Sequence, residues 1–166
     1  YVANYDMVSD LKEGGSFLLA CDWADVAALD AHLPVSMRRA IAKKHINLYV
    51  IDSVAIAAEL GLGNRTNTIL QAAFFHITGI IPDDKAVEYM KAAALKSYGK
   101  KGEKVVNMNY AAVDRGICGA VKIDYPASWA DLADETPAPR KNVPEFVTSA
   151  TSALTSAPTP PSVPSC

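Results

Sequence analysis

Two short apolar runs, residues 16–21 (SFLLAC) and 46–51 (INLYVI), limit what this chain can fold into more than any other feature. Neither alternates between apolar and polar residues, and uninterrupted runs of this kind form strands buried on both faces of a parallel sheet. The stretch between them is helical in character. Residues 22–31 are rich in Ala and Asp, with Asp22 placed to cap a helix beginning at Trp23. Pro34 then opens a basic helix, PVSMRRAIAKKH, at a first-turn position where its missing N–H costs nothing. Strand, helical crossover and strand make a βαβ unit, which is parallel and right-handed as a rule.

The other segments read as helix. Residues 4–12 (NYDMVSDLK) put Tyr5, Met7, Val8 and Leu11 on one side, ahead of the Gly14-Gly15 break. Residues 53–60 form another helix, closed by Gly61-Leu62-Gly63. Residues 64–80 repeat Ile69, Leu70, Ala73, Phe74 and Ile77 at helical intervals. Pro82 starts a further helix with Asp83 and Asp84 in its first turn, where the helix dipole favours acid, and Gly99-Lys-Lys-Gly102 ends it. Residues 103–123 form the last; Gly116 and Gly119 inside it each cost about 1 kcal/mol relative to Ala and predict close packing against a neighbour.

The expected fold class is therefore α/β: a partial three-layer α/β/α domain with about two parallel strands, about six helices and a disordered C-terminal tail. Two parallel strands leave both sheet edges open, so the chain reads as the second half of an α/β domain whose earlier strands are absent. The missing initiator methionine agrees with a fragment.

Glycine and proline divide the chain. All nine Gly lie between Gly14 and Gly119, whereas eight of the ten Pro lie between Pro126 and Pro164. Residues 1–125 are thus expected to fold and 126–166 to form a linker or tail, disordered from about Asp134. Trp129 is the expected exception, because a lone large ring can clip such a segment onto the domain. Up to Tyr125 there are 14 basic and 14 acidic side chains, so the net charge of −2 comes from the tail. A neutral folded part argues against nucleic-acid binding. No apolar run approaches a membrane span, which predicts a soluble, cytoplasmic protein. Cys21, Cys118 and Cys166 are odd in number and far apart, so neither disulfides nor a metal site is signalled; Cys21 and Cys118 are expected to be buried and reduced.

Two stretches carry candidate chemistry. In Gly61-Leu62-Gly63-Asn64-Arg65-Thr66-Asn67, Asn64 suits a helix N-cap and Asn67 the third helical position, so plain capping accounts for the pattern. The same turn offers free N–H groups and a positive helix end beside Arg65, which suit a phosphate or carboxylate. Residues 96–104 (KSYGKKGEK) cluster lysines around two glycines, as either a solvated turn or a basic loop for a polyanionic cofactor tail. His32, His45 and His76 have no Cys, Asp or Glu at ligand spacing, and no nucleophile elbow, Walker loop or paired-carboxylate pattern is present. No residue is assigned as catalytic or metal-binding.

The segments YDMVSDLKEGGSFLLAC, LPVSMRRAIAKKHINLYVIDSVAIAAELGLGNRTNTILQAAFFHITGIIP, YGKKGEKVVNMNYAAVDRGI and KIDYPASW resemble the pyruvate:ferredoxin (flavodoxin) oxidoreductases, over about Tyr1 to Thr148. The part matched resembles the C-terminal half of their gamma-type domain. The resemblance implies a parent enzyme that oxidatively decarboxylates pyruvate with coenzyme A to acetyl-CoA and carbon dioxide, passing electrons to ferredoxin or flavodoxin. It implies thiamine diphosphate, magnesium and [4Fe-4S] clusters in other domains, and a homodimeric parent. Combined with the residue reading, it places Asn64, Arg65 and Asn67 at a shared cleft and Lys100 and Lys101 on the phosphates or ribose of coenzyme A. The alternative is a non-catalytic gamma-like subunit of a split 2-oxoacid oxidoreductase. After PEFVT the family continues in order, whereas here the chain turns low-complexity, so the sequence reads as incomplete or altered there.

Overall fold

The computed structural model describes residue 2 and residues 5–133. In chain order these form β1 (Ser16–Ala20), α1 (Val26–His32), α2 (Val35–Lys43), β2 (Asn47–Ile51), α3 (Ser53–Glu59), α4 (Asn67–Thr78), α5 (Asp83–Tyr98), α6 (Glu103–Gly119) and β3 (Val121–Lys122). Short 3-10 turns cover Gly99–Lys101 and Ala127–Asp131. The sheet order is β1-β2-β3, with β1 and β2 parallel in the register Ser16↔Asn47 to Ala20↔Ile51.

Side chains alternate across this small sheet and feed two cores. Leu19, Leu48 and Val50 pack with Leu29, Met37 and Ile41 from α1 and α2. On the opposite face Leu18 and Ile51 pack with Ile56, Ile69 and Ala112 from α3, α4 and α6. The apolar residues of both strands thus have helices to meet on both sides, as the unbroken runs require. At α6 the fit is closest: a Cβ on Gly116 would lie 2.5 Å from the Ile69 carbonyl oxygen and 2.6 Å from the Ala72 Cβ. The expected close approach is a backbone-to-backbone contact of α6 on α4.

Trp129 does clip the segment after β3 onto the domain, with only 2% of its surface exposed. Its indole N–H donates to Asp30 Oδ1 at 2.8 Å, and the same oxygen accepts from Arg38 Nη1 at 2.7 Å. Tyr125 stacks on the indole with centroids 5.3 Å apart and donates its hydroxyl to the Ile46 carbonyl at 2.7 Å. Burial raises the Tyr125 pKa above its ordinary value. The expected tail disorder and Cys166 lie outside the described residues.

Several expectations are corrected. Residues 5–12 form turns and no helix. Asp6 accepts from the amides of Ser9 and Val8, at 3.0 and 3.1 Å, and these bonds hold its carboxyl below its ordinary pKa. The Lys44 ammonium donates to the carbonyls of Val8 (3.1 Å), Ser9 and Leu11 (3.0 Å), taking acceptors that a helix would need. The cap of α1 is Asp25, not Asp22: its side chain accepts from the Ala28 amide, and the helix begins three residues later than expected. The last helix ends at Gly119, and Val121–Lys122 instead add a third strand, antiparallel to β2. The sheet therefore has three strands, because β2 still had a free edge for the chain to pair with on leaving α6. Cys118 is exposed, since α6 buries Val106, Asn109, Val113 and Gly116 and turns position 118 outward; Cys21 is half-buried.

Candidate functional site

The glycine-bearing turn after α3 has two separate jobs. Gly61, at φ 70°, ends α3: its amide donates to the Ala58 carbonyl at 3.0 Å and the Leu62 amide donates to Ala57 at 2.8 Å. A left-handed residue in this place satisfies the last carbonyls of a helix, and Gly takes it without a Cβ penalty. Gly63, at φ 59°, then turns the chain so that the Arg65 amide reaches the Leu62 carbonyl at 3.3 Å. That turn occupies Asn64 and Arg65 and delays α4 to Asn67, three residues after the expected start. Asn64 is consequently not the N-cap and Asn67 is the first helical residue; the expected Asn64–Asn67 cap does not form.

The N-terminus of α4 is left without a side-chain cap. Thr66 precedes the helix and makes no capping hydrogen bond, so the amides of Asn67 and Thr68 have no described acceptor. Beside them Arg65 donates Nε to the Leu62 carbonyl at 3.1 Å, which fixes the guanidinium root, while its two terminal amino groups have no partner among the described contacts. Asn64, Arg65 and Asn67 are all exposed. Free helix-end amides, a positive dipole end and an anchored guanidinium suit an oxyanion.

Lys100 and Lys101 are exposed on the 3-10 turn between α5 and α6. Lys101 Nζ sits 5.4 Å from the Tyr98 ring centroid, a cation–π contact, and Lys100 extends to solvent. No described hydrogen bond or ion pair joins this turn to residues 64–67. A shallow depression of about 620 Å³ lies between Glu59 and Leu60 of the α3 end and Glu103, Lys104 and Asn107 of α6. None of the five expected residues lines it. Of the residues that do, Lys104 was visible as part of the lysine cluster, whereas Glu59 is a surface acid whose only described tie is an ion pair to Arg115 at 2.9 Å.

Among the described residues the histidines and cysteines do not converge. His76 Nδ1 lies 2.8 Å from Asp83 Oδ2, joining the end of α4 to the start of α5, and His32 stacks on Trp23 at 4.6 Å. Desolvation, with Asp22 and Asp52 nearby, raises the Cys21 thiol above its ordinary pKa, although a hydrogen bond from the Trp23 backbone acts against it. Among the described residues no group of three or more His, Cys, Asp or Glu could hold a metal ion, and no helix is long and apolar enough to cross a membrane.

Fold and surface together define an α/β segment with a short, mainly parallel sheet and an uncapped, cation-flanked helix end. Sequence comparison supplies the family. The profile of the pyruvate ferredoxin/flavodoxin oxidoreductases matches residues 1–118, and the chain belongs to that family. It is 48% identical over 147 residues to the pyruvate:ferredoxin oxidoreductase of Moorella thermoacetica, covering 89% of this chain and 12% of that protein. It is 49% identical over 147 residues to the pyruvate-flavodoxin oxidoreductase of Enterobacter agglomerans, with the same shares covered. It is also 42% identical over 128 residues to the pyruvate dehydrogenase [NADP(+)] of Cryptosporidium parvum, covering 77% of this chain and 7% of that one. The chain thus spans only about an eighth of the bacterial relatives it matches, or less.

Proposed function

We propose that this chain is one segment of an enzyme that oxidatively decarboxylates pyruvate with coenzyme A, and that it serves the coenzyme A side of the reaction. The observation that carries this reading is the 48% identity to a pyruvate:ferredoxin oxidoreductase over 89% of the chain. Residues 1–125 are taken as the C-terminal half of the gamma-type domain. Thiamine diphosphate, magnesium and the [4Fe-4S] clusters would be held by other domains of a homodimeric, cytoplasmic parent, which passes electrons to ferredoxin or flavodoxin.

Coenzyme A supplies the thiol that accepts the acetyl group. This chain's part is to bind and orient the anionic remainder of that molecule. Arg65, anchored through Nε with its other amino groups free, and the uncapped amides of α4 suit a phosphate, while Asn64 and Asn67 supply neutral donors beside it. Lys100 and Lys101 add exposed charge on the turn between α5 and α6. The relatives include a pyruvate:ferredoxin oxidoreductase, a pyruvate-flavodoxin oxidoreductase and a pyruvate dehydrogenase [NADP(+)], so a segment shared by all three is a poor place for acceptor choice.

The test is kinetic. In the full-length enzyme, Arg65→Ala and Lys100→Ala are expected to raise KM for coenzyme A by about tenfold each, equivalent to roughly 1.4 kcal/mol, with kcat and KM for pyruvate little changed. An unchanged KM for coenzyme A in both variants removes these residues from the cofactor's path.

A further inference from the structure

A lysine ammonium held by carbonyls alone closes the turns ahead of β1. Lys44 caps the C-terminus of α2 and is half-buried, and among the described residues it forms no ion pair. Its Nζ donates instead to three backbone carbonyls, those of Val8 at 3.1 Å, Ser9, and Leu11 at 3.0 Å. An ammonium has three protons and no acceptor, so these bonds use all that it offers. Three carbonyl oxygens aimed at one point bring their negative ends together, which is repulsive unless a cation stands between them.

The turn is also shaped by bonds that do not involve the ammonium. The Leu11 amide donates to the Val8 carbonyl at 3.2 Å, the Gly15 amide to the Lys12 carbonyl at 3.0 Å, and the Gly14 amide to the backbone carbonyl of Lys44 at 2.8 Å. Val8 is 3% exposed and seated in the core, with Met7 and Leu11 packed beside it. Asp6 supplies negative charge nearby: the Ser9 and Val8 amides, and after them the Lys44 charge, hold its carboxyl below its ordinary pKa. Converging carbonyls that stand in for a hydration shell are the means by which proteins bind potassium.

We propose that the carbonyls of Val8, Ser9 and Leu11 form a monovalent-cation site of which the Lys44 ammonium is the built-in occupant, and that potassium, or an ion of its size, fills the same place once that ammonium is removed. The donors fix the class of ion. They are neutral carbonyls with one carboxylate near them, whereas divalent ions of this kind of oxygen site draw on several carboxylates. Carrying the cation on its own side chain makes the order of residues 6–15 independent of ions in solution.

Hydrogen exchange on the 166-residue chain and its Lys44→Ala variant tests this, in chlorides of potassium, tetramethylammonium and n-propylammonium at equal concentration. The Leu11 and Gly15 amides report the turn, and the Asn47 amide, bonded to the Gly15 carbonyl at 2.8 Å, reports the sheet. The unaltered chain should show the same protection in all three salts. In the variant, Leu11 and Gly15 should exchange fast in tetramethylammonium, which is too large and has no N–H to donate. Potassium at about ten times its dissociation constant should slow them by roughly tenfold. Propylammonium, which replaces the atoms that the substitution removes, should do the same. Equal exchange in potassium and tetramethylammonium, whether fast or slow, overturns the proposal. Recovery in propylammonium alone also overturns it, because the place is then a fitted lysine pocket and no ion site. In crystals soaked in rubidium, an anomalous scatterer with the chemistry of potassium, the ion should lie among the three carbonyls of the variant; rubidium there beside an intact Lys44 is a further result against the proposal. Arg65 and Lys100 take no part, and the inference does not rest on the coenzyme A reading.

Discussion

The two sides of the sheet are held by different means. On the side of α1 and α2 the core is made of large side chains, Leu29, Met37, Ile41, Leu48 and Trp129, and it is closed by a segment from the far end of the described chain. On the other side α6 lies against α4 through Gly116, Ala112, Ala72 and Ala73, with backbone nearly touching backbone. The first side is vulnerable to lost volume and the second to added volume. The contrast follows from residue size: large rings and branched chains fill a gap between elements, whereas small residues remove the gap.

Trp129→Ala should have the largest effect. It removes a ring that is 98% buried together with its hydrogen bond to Asp30, and should destabilise the chain by about 3–4 kcal/mol in urea unfolding. A loss below about 1 kcal/mol would mean that the closing segment contributes little and the two sides differ less than stated. Gly116→Ala adds one methyl group on the opposite side. It should cost roughly 2–3 kcal/mol, because the obstacle is the Ile69 carbonyl and the Ala72 Cβ, neither of which can swing away. Gly119→Ala is its control. There the nearest atoms are the Cδ1 ends of Ile56 and Ile51, at 3.0 and 3.3 Å, which can rotate, so the two glycines should differ by about 2 kcal/mol.

A smaller effect has the opposite sign. His45 follows α2 at φ 51°, and the amides of His45 and Ile46 donate to the carbonyls of Ala42 and Ile41. This is the arrangement in which Gly61 follows α3, but with a side chain in the left-handed position. His45→Gly should therefore stabilise the first side by roughly 0.5–1 kcal/mol, read as a higher urea midpoint at unchanged slope. An unchanged or lower midpoint would show that unfolded-state entropy outweighs the relief of strain.

The smallest effect is confined to the turn at residues 6–9. The Ser9 and Val8 amides lower the Asp6 pKa in the folded chain, so their stabilisation is present above the unfolded value and is lost as pH falls through the folded one. The Ser9 amide resonance should therefore titrate with a midpoint below that of an unstructured Asp. A midpoint at the ordinary value would break the assignment of that turn.

Much of the fold was legible because unbroken apolar runs and 3.6-residue periodicity are local signals. β1, β2, α3 and α5 follow from them almost residue for residue. The misses have local causes too. Residues 5–12 have helical spacing, but Lys44 and Asp6 claim their backbone groups, and the lysine lies more than thirty residues away in sequence. At residues 61–67 the residue types suggested a cap, yet the two glycines carry a helix end and a turn, and these push α4 onward. The candidate site was therefore legible in its chemistry, as exposed Asn, Arg and Lys, and not in its geometry.

By itself the sequence determined the parallel pair, the close approach at Gly116 and the family, because each depends on residue identity at fixed spacing. Tertiary structure decided what covers what. It added β3 to the second edge of β2 and seated Trp129 between Asp30, Arg38 and Tyr125. Such pairings join residues far apart in the chain. Their energy comes from surfaces and hydrogen-bonding groups that meet only after the chain has closed on itself, and no local pattern records them.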